Sequence, residues 1–131
     1  MHHHDYWFEL GSGRTRLEIY AKAIGTHGLV VIIEGGECPH IGAVALAQPR
    51  PSLRDPHRNS ATTSVLALLG HKDDEVARSV AEELARASGR VTTVVAGIHI
   101  DQASQEEIAQ FRQLCAQAAR QVLDWLASIH A

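Results

Sequence analysis

The sequence has few of the residues that mark several large classes of protein. Only two cysteines occur among the 131 residues, Cys38 and Cys115, and they lie far apart without metal-ligand spacing. A disulfide framework and a cysteine-rich zinc site are therefore excluded. The formal net charge of -3 leaves no overall positive field to hold DNA or RNA. No apolar run is long enough to cross a bilayer, and the first residues lack the apolar core of a signal peptide. These absences predict a cytoplasmic, reduced protein that binds neither membrane nor nucleic acid.

Signatures of common catalytic sites are also missing. The sequence contains no P-loop lysine motif, no G-x-G-x-x-G, no H-E-x-x-H and no nucleophile elbow. The adjacent acids Asp73, Asp74 and Glu75 are explained by a helix start, where the helix dipole favours negative charge. No catalytic residue is predicted.

Strand patterns fill the first half of the chain. Apolar residues alternate with polar ones through residues 14–23, whereas residues 29–33 form a continuous apolar run typical of a central strand covered on both faces. Further strands are predicted at residues 6–10, 41–47, 62–69 and 91–100. One domain is expected over residues 5–131, and residues 1–4, with three adjacent histidines, are interpreted as a disordered N-terminus or a tag remnant.

Two amphipathic helices follow late in the chain. Val76, Val80 and Leu84 share one helical face and Gly89 suits the C-terminal end of that helix, while Ser104 opens a capping box before a second helix. Short turns between the early strands make them pair antiparallel. The prediction is an α+β domain with a mainly antiparallel sheet of five to six strands and two helices on one face. Its other face is then open to solvent or to a partner, and we expect a homodimer through it.

One segment is locally positive within this net-negative protein. All four prolines lie between residues 39 and 56, which makes the segment stiff without being regular. Arginine forks and hydroxyl groups suit a phosphate or carboxylate. The residues proposed to bind such an anion are Arg50, Ser52, Arg54, Arg58, Ser60 and Thr62, with Lys72 further on. The alternative is a solvated loop whose arginines pair with helix acids such as Glu82 and Glu83.

Three histidines stand at predicted strand ends, namely His40, His71 and His99. Such positions are where small-molecule sites are commonly built, and histidine both donates and accepts hydrogen bonds near neutral pH. Asp101 follows two residues after the last of them. Zinc binding, with Glu37, Asp101 or Cys38 as a further ligand, is an alternative, although no spacing matches a zinc signature. A third interpretation makes each histidine an ordinary turn residue.

The order of these motifs resembles the LpdD-like prenylated-flavin chaperone family over nearly the whole chain. The resemblance is carried by residues 38–47, 49–53, 60–66, 70–75 and 96–101. The family accompanies UbiD-type decarboxylases, including gallate and protocatechuate systems, and its fold resembles that of proteasome-assembly chaperones. The resemblance implies a non-enzymatic carrier that holds prenylated FMN, with FMN as a possible ligand, and supports its delivery to or maturation in such a decarboxylase.

The chemistry of that cargo suits the candidate residues. A phosphate suits the arginines, and a polar ring edge suits His40, His71, His99 and Asp101. Two other functions stay open at this point. One is a small metal-assisted hydrolase that uses the three histidines, and the other is an assembly factor that contacts a partner protein and binds no ligand.

Overall fold

The computed structural model describes residues 4–68 and 73–129. Within them the chain forms one six-stranded sheet and two α-helices, with a short 3-10 turn after the first strand. The strands are β1 (Asp5–Leu10), β2 (Leu17–Ile24), β3 (Gly28–Gly36), β4 (Ala43–Pro51), β5 (Asn59–Ala67) and β6 (Val91–His99). The helices are α1 (Asp74–Ser88) and α2 (Gln105–Ile129), and the 3-10 turn is Gly13–Thr15.

The sheet is mixed, with the strand order β1-β2-β3-β6-β4-β5. Every neighbouring pair is antiparallel except β3 and β6, which run parallel. The predicted fold class, a mainly antiparallel α+β sheet, is confirmed. The local sequence pattern did not indicate that β6 lies between β3 and β4, because that placement depends on pairing between distant segments.

Both helices lie on the same face of the sheet. Helix α1 packs on β4, β5 and β6, while α2 packs against α1, β1 and β2. The alternation in β2 places Leu17 and Ile19 in this core, and Leu84 of α1 is equally buried. Cys115 of α2 is also buried, as its place in the apolar stripe predicted. Burial first, and then the charge of Asp73, raises the pKa of its thiol to about 12.

The predicted helix ends form as expected. Gly89 ends α1 with a φ of 71°, a left-handed conformation that favours glycine, and its N–H donates to Ala85. At the start of α2, the N–H of Ser104 donates to the Glu107 carboxylate at 3.0 Å, and the N–H of Glu107 donates to the Ser104 hydroxyl at 3.1 Å. This reciprocal pair is the capping box.

The proline-rich segment is more regular than the sequence indicated. Pro49 and Pro51 belong to β4, which pairs with β5 as far as Asn59. Proline is tolerated there because the ladder between β4 and β6 ends at Ala47, so beyond that point β4 has a strand on one side only. The expectation of an irregular segment was therefore wrong for residues 49–51.

Candidate functional site

The predicted site residues divide into two groups at opposite ends of the sheet. His40, His99 and Asp101 lie near the start of β4 and the end of β6. The other group lies at or near the tip of the β4–β5 hairpin, and its members are Arg50, Ser52, Arg54, Arg58, Ser60 and Thr62. Arg50 lies seven positions beyond Ala43 along β4, which is about 23 Å at 3.3 Å per residue. His71 and Lys72 lie outside the described residues.

The hairpin tip is ordered by its own hydrogen bonds. The N–H of Ser52 donates to the carbonyl of Arg58 at 2.8 Å, and the N–H of Arg58 donates to the carbonyl of Asp55 at 2.9 Å. The Ser52 hydroxyl accepts from the N–H groups of Arg54 and Asp55 at 3.2 and 3.4 Å. Because these turns fix the loop, a ligand would find its side chains already in place.

A groove of about 460 Å³ opens between this tip and α1. Its lining residues are Ser52, Arg54, Asp55, Arg58, Asn59, Ser60 and Arg86. The guanidinium groups of Arg54 and Arg58 form no side-chain hydrogen bond or ion pair with the described residues. Because Arg86 pairs with Glu83, the excess positive charge of the groove comes from Arg54 and Arg58 against Asp55. Guanidinium forks bind phosphate through two parallel N–H donors, so the groove fits a phosphate group.

The alternative that the loop arginines pair with acids of α1 finds no support in the described chain. Glu83 instead bonds to Arg86, one turn further along the same helix. Helix α1 therefore contributes Arg86 to the rim of the groove without neutralising the loop.

Arg50 does not line the groove. Its Nε donates to the Thr62 hydroxyl at 2.7 Å, and one terminal nitrogen donates to the carbonyl of Pro51 at 3.0 Å. Ala45 and Ala47 of the same strand are buried beneath α1, so the alternation of β4 directs Arg50 to the opposite face of the sheet. We call this uncovered face the open face.

At the other end of the sheet, a buried carboxylate joins β6 to the loop before β4. Asp73 stands just before α1 and is only 5% exposed. One of its oxygens accepts from the N–H of Ile98 at 2.9 Å, and the other lies 3.0 Å from Nε2 of His40. A Cβ on Gly42 would fall 1.9 Å from that second oxygen. The pairing of β6 with β4 stops at Ala96, so the N–H of Ile98 has no partner on β4. The Asp73 carboxylate accepts its hydrogen bond instead.

Both ring nitrogens of His40 already have acceptors within the chain. Nδ1 lies 3.0 Å from the carbonyl of Cys38, which only accepts, so Nδ1 carries a proton. Nε2 faces the Asp73 carboxylate at 3.0 Å. His40 therefore offers no ring nitrogen to a ligand unless one of these contacts opens.

His99 is the more accessible histidine. Its Nε2 lies 3.0 Å from the Asp101 carboxylate and its ring centroid lies 6.2 Å from that of His40. With Nε2 donating to Asp101, Nδ1 of neutral His99 is an acceptor that points to no described partner. The backbone of Asp101 is tied in turn to Glu37, whose carboxylate accepts from the Asp101 N–H at 3.1 Å.

Arg14, which the sequence analysis did not single out, fastens this end of the molecule. Its guanidinium donates to the Glu107 carboxylate at 2.7 Å and to the carbonyl of Asp101 at 2.7 Å, and it lies 3.4 Å from Glu37. The hydrogen bond from Arg14, followed by the one from Ser104, lowers the pKa of Glu107 to about 2. No local motif marks Arg14, because its partners are between 23 and 93 residues away.

No group of three metal-binding side chains is close enough to hold an ion within residues 4–68 and 73–129. His40 and His99 meet edge to face, and each is held by its own aspartate. His71, which the metal hypothesis also requires, lies outside the described residues. The described part of the site therefore gives the hydrolase alternative no observation in its favour.

The open face carries a continuous apolar stripe. One residue from each strand lies along it in pairing register, and these are Trp7, Tyr20, Ile32, Val95, Val44 and Leu66. Trp7 is 56% exposed and Leu66 is 79% exposed. A groove of about 260 Å³ crosses one end of the stripe, lined by Trp7, Glu18, Ile19, Tyr20, Ile32 and Glu34. An uncovered apolar surface of this kind marks a site for a partner or ligand.

Among the described helices, none combines the length and apolar character needed to span a membrane.

Comparisons with known proteins identify the fold and the family of the chain. A chain from a structure described as a novel chaperone complex for yeast 20S proteasome assembly superposes with a TM-score of 0.55, covers 95% of this chain and 96% of its own, and is 14% identical. That likeness shows the fold alone. Protein LpdD of Lactiplantibacillus plantarum is 26% identical over 114 residues, which cover 85% of this chain and 77% of LpdD. The model of the prenylated flavin chaperone LpdD-like domain matches residues 11–127. The chain therefore belongs to the LpdD-like prenylated flavin chaperone family, and it is a chaperone rather than an enzyme.

Proposed function

We propose that this chain binds prenylated FMN as cargo and supports its delivery to, or maturation in, a UbiD-type decarboxylase in the cytoplasm. The family match supports a flavin-related cargo. The observation that carries the binding step is the groove at the hairpin tip, where the guanidinium groups of Arg54 and Arg58 have no partner in the described chain. The flavin phosphate supplies the dianion that this groove lacks.

The ring system of the cargo requires contacts that the groove does not offer. We keep His40, His71, His99, Asp101 and Lys72 as candidates to contact the ring system. His99 is the best placed of the described ones, since its Nδ1 is available to accept a hydrogen bond from an N–H group of the cargo. About 23 Å separates the two ends of β4, so we assign the phosphate to the groove at the hairpin tip and treat the histidine end as a separate candidate contact. We also propose that the protein acts as a homodimer formed through the open face, because that face carries the uncovered apolar stripe.

Calorimetric titration with FMN, riboflavin and enzymatically made prenylated FMN tests the cargo and its anchor. The phosphate assignment predicts that FMN binds more tightly than riboflavin, which differs only by lacking the phosphate. Each charge-assisted hydrogen bond contributes about 1.5–3 kcal/mol, so Arg58→Gln is expected to weaken FMN binding by about tenfold or more. The same change is expected to leave riboflavin binding unaltered.

Arg120→Gln is the matched control, because Arg120 is exposed on α2, away from the groove. Equal affinity for FMN and riboflavin contradicts the phosphate site. Failure to bind any of the three flavins contradicts the carrier function itself. Delivery is then followed by mixing the loaded protein with apo-decarboxylase and measuring the flavin absorbance that co-purifies with each. Cargo that stays with the chaperone while the decarboxylase remains inactive contradicts the delivery step.

A further inference from the structure

The open face has opposite charges at two of its corners. Glu9, Glu18 and Glu34 stand side by side on β1, β2 and β3, at the end of the sheet where β3 finishes. Arg16 bonds to the first two, and Glu34 makes no ion pair within the described chain. Like charges on directly opposed residues are destabilising, and three carboxylates against the single guanidinium of Arg16 leave this corner with an excess of negative charge.

Arg50 is the complementary group. It lies on the same face at the diagonally opposite corner, where its guanidinium bonds only to the Thr62 hydroxyl and the Pro51 carbonyl. No carboxylate of the described chain pairs with it. The groove beside Glu34 is lined by Trp7 and Tyr20 as well as by Glu18, and aromatic faces next to carboxylates form a favourable site for a guanidinium group.

The two corners lie on either side of the apolar stripe. Along β4 and across the sheet, the midpoint between Arg50 and the acidic groove falls near Val30 and Leu46, which face the same side as the stripe. A two-fold axis that lies in the plane of the interface, passes through this midpoint and is perpendicular to the line from Arg50 to the groove brings Arg50 of each copy to the acidic groove of the other. A closed two-fold contact of this kind is self-complementary.

The size of the open face agrees with such a contact. Six strands about 4.8 Å apart, each about 20–30 Å long, present on the order of 600–800 Å². A stable interface of standard size buries about 800 Å² on each partner. One face of the sheet is therefore sufficient for a dimer without a contribution from the helices.

We propose that Arg50 of one copy inserts between Trp7, Glu18 and Glu34 of a second copy and sets the register of the homodimer. This inference rests on the homodimer proposed above and identifies the contact that orients it. In this arrangement the hairpin tip of each copy lies beyond the β1–β2 corner of the partner's sheet. The groove with Arg54 and Arg58 opens toward α1 on the covered face, so it stays outside the interface and remains open to cargo in the dimer.

Charge exchange at the two corners tests the proposal by sedimentation equilibrium. Arg50→Glu and Glu34→Arg are each expected to raise the dimer dissociation constant by at least about tenfold, since each places like charges together in a desolvated contact. The double variant restores the attraction with the charges reversed and is expected to recover most of the lost affinity. Arg78→Glu, on the exposed side of α1, is the matched control and is expected to leave the constant unchanged.

Three results overturn the inference at different levels. A monomeric wild-type protein contradicts the homodimer, including the case in which the open face instead binds the decarboxylase. A wild-type dimer that both single variants leave intact contradicts the role of Arg50. If the single variants dissociate and the double variant does not recover, the pairing of Arg50 with Glu34 is contradicted. Circular dichroism of each variant serves as the control for a retained fold. The cargo is tested separately, because the FMN titration of the Arg58→Gln variant does not depend on these substitutions.

Discussion

Replacing Asp73 with alanine removes the acceptor that joins β6, the loop before β4 and the start of α1. The carboxylate side chain is 6% exposed, and it accepts from the Ile98 N–H at 2.9 Å and contacts His40 at 3.0 Å. A buried N–H left without a partner costs about 1–3 kcal/mol, and the lost contact with His40 adds about 1–2 kcal/mol because that ring is partly exposed. We expect Asp73→Ala to lower the free energy of unfolding by about 3 kcal/mol, which is about 12 °C in Tm for a domain of this size.

The assay is thermal unfolding followed by circular dichroism, together with hydrogen exchange of the Ile98 amide. The amide is expected to exchange faster in Asp73→Ala, because its hydrogen bond is lost. Asp73→Asn keeps an acceptor for Ile98 and loses only the charge, so we expect about half the effect. The matched control is Glu75→Ala, whose side chain is 77% exposed and lies 3.8 Å from Arg112, and which should change stability by less than about 0.5 kcal/mol. An Asp73→Ala protein as stable as the control would refute this account of the junction.

Three further outcomes are expected. Gly97→Ala should prevent stable folding in denaturant titrations, because the new Cβ would lie 1.4 Å from a backbone oxygen of the overlying loop, and a wild-type midpoint would contradict that close approach. Iodoacetamide should label exposed Cys38 in the native protein and Cys115 only after denaturation, since burial raises the pKa of the second thiol to about 12; labelling of both native thiols, counted by mass spectrometry, would disprove this. Glu107, whose pKa Arg14 lowers to about 2 from an ordinary 4.5, stabilises the fold above pH 4.5 and loses that contribution as the pH falls toward 2. The stability gap between wild type and Glu107→Gln should therefore stay constant from about pH 7 to about pH 5 and narrow below about pH 4.5 in urea titrations, and a gap that stays constant down to about pH 3 would exclude this linkage.

Local patterns predicted most of the secondary structure correctly. Alternation identified the buried residues of β2, and the serine and glutamate of the capping box identified the start of α2, because these signals depend on neighbours within a few residues. The extent of β4 was missed. Prolines at positions 49 and 51 indicate irregular backbone when they are read alone, and only the position of β6 in the sheet shows that β4 is free on one side there.

The candidate site was harder to predict because it depends on long-range pairing. The sequence placed the arginines and the histidines close together along the chain, but a nine-residue strand carries them to opposite ends of the sheet. Asp73 was interpreted as an acid that favours a helix start, although its side chain makes no capping hydrogen bond. The signal that pointed to its actual role was Gly42, next to a strand, where the Asp73 carboxylate leaves no room for a side chain, while Gly97 marks the close approach of the His40 backbone.

The position of β6 has a consequence for how the chain acquires its structure. This strand lies between β3 and β4, yet it is synthesised after both of them. Until it emerges, β1–β3 and β4–β5 are two separate small sheets, and each presents an unpaired apolar edge of the kind that promotes aggregation. β6 must then pair with β3 and with β4, which both lie far from it in the sequence, and such long-range pairing slows folding. A chain that ends before Val91 is therefore expected to contain two unjoined half-sheets rather than a smaller version of the domain.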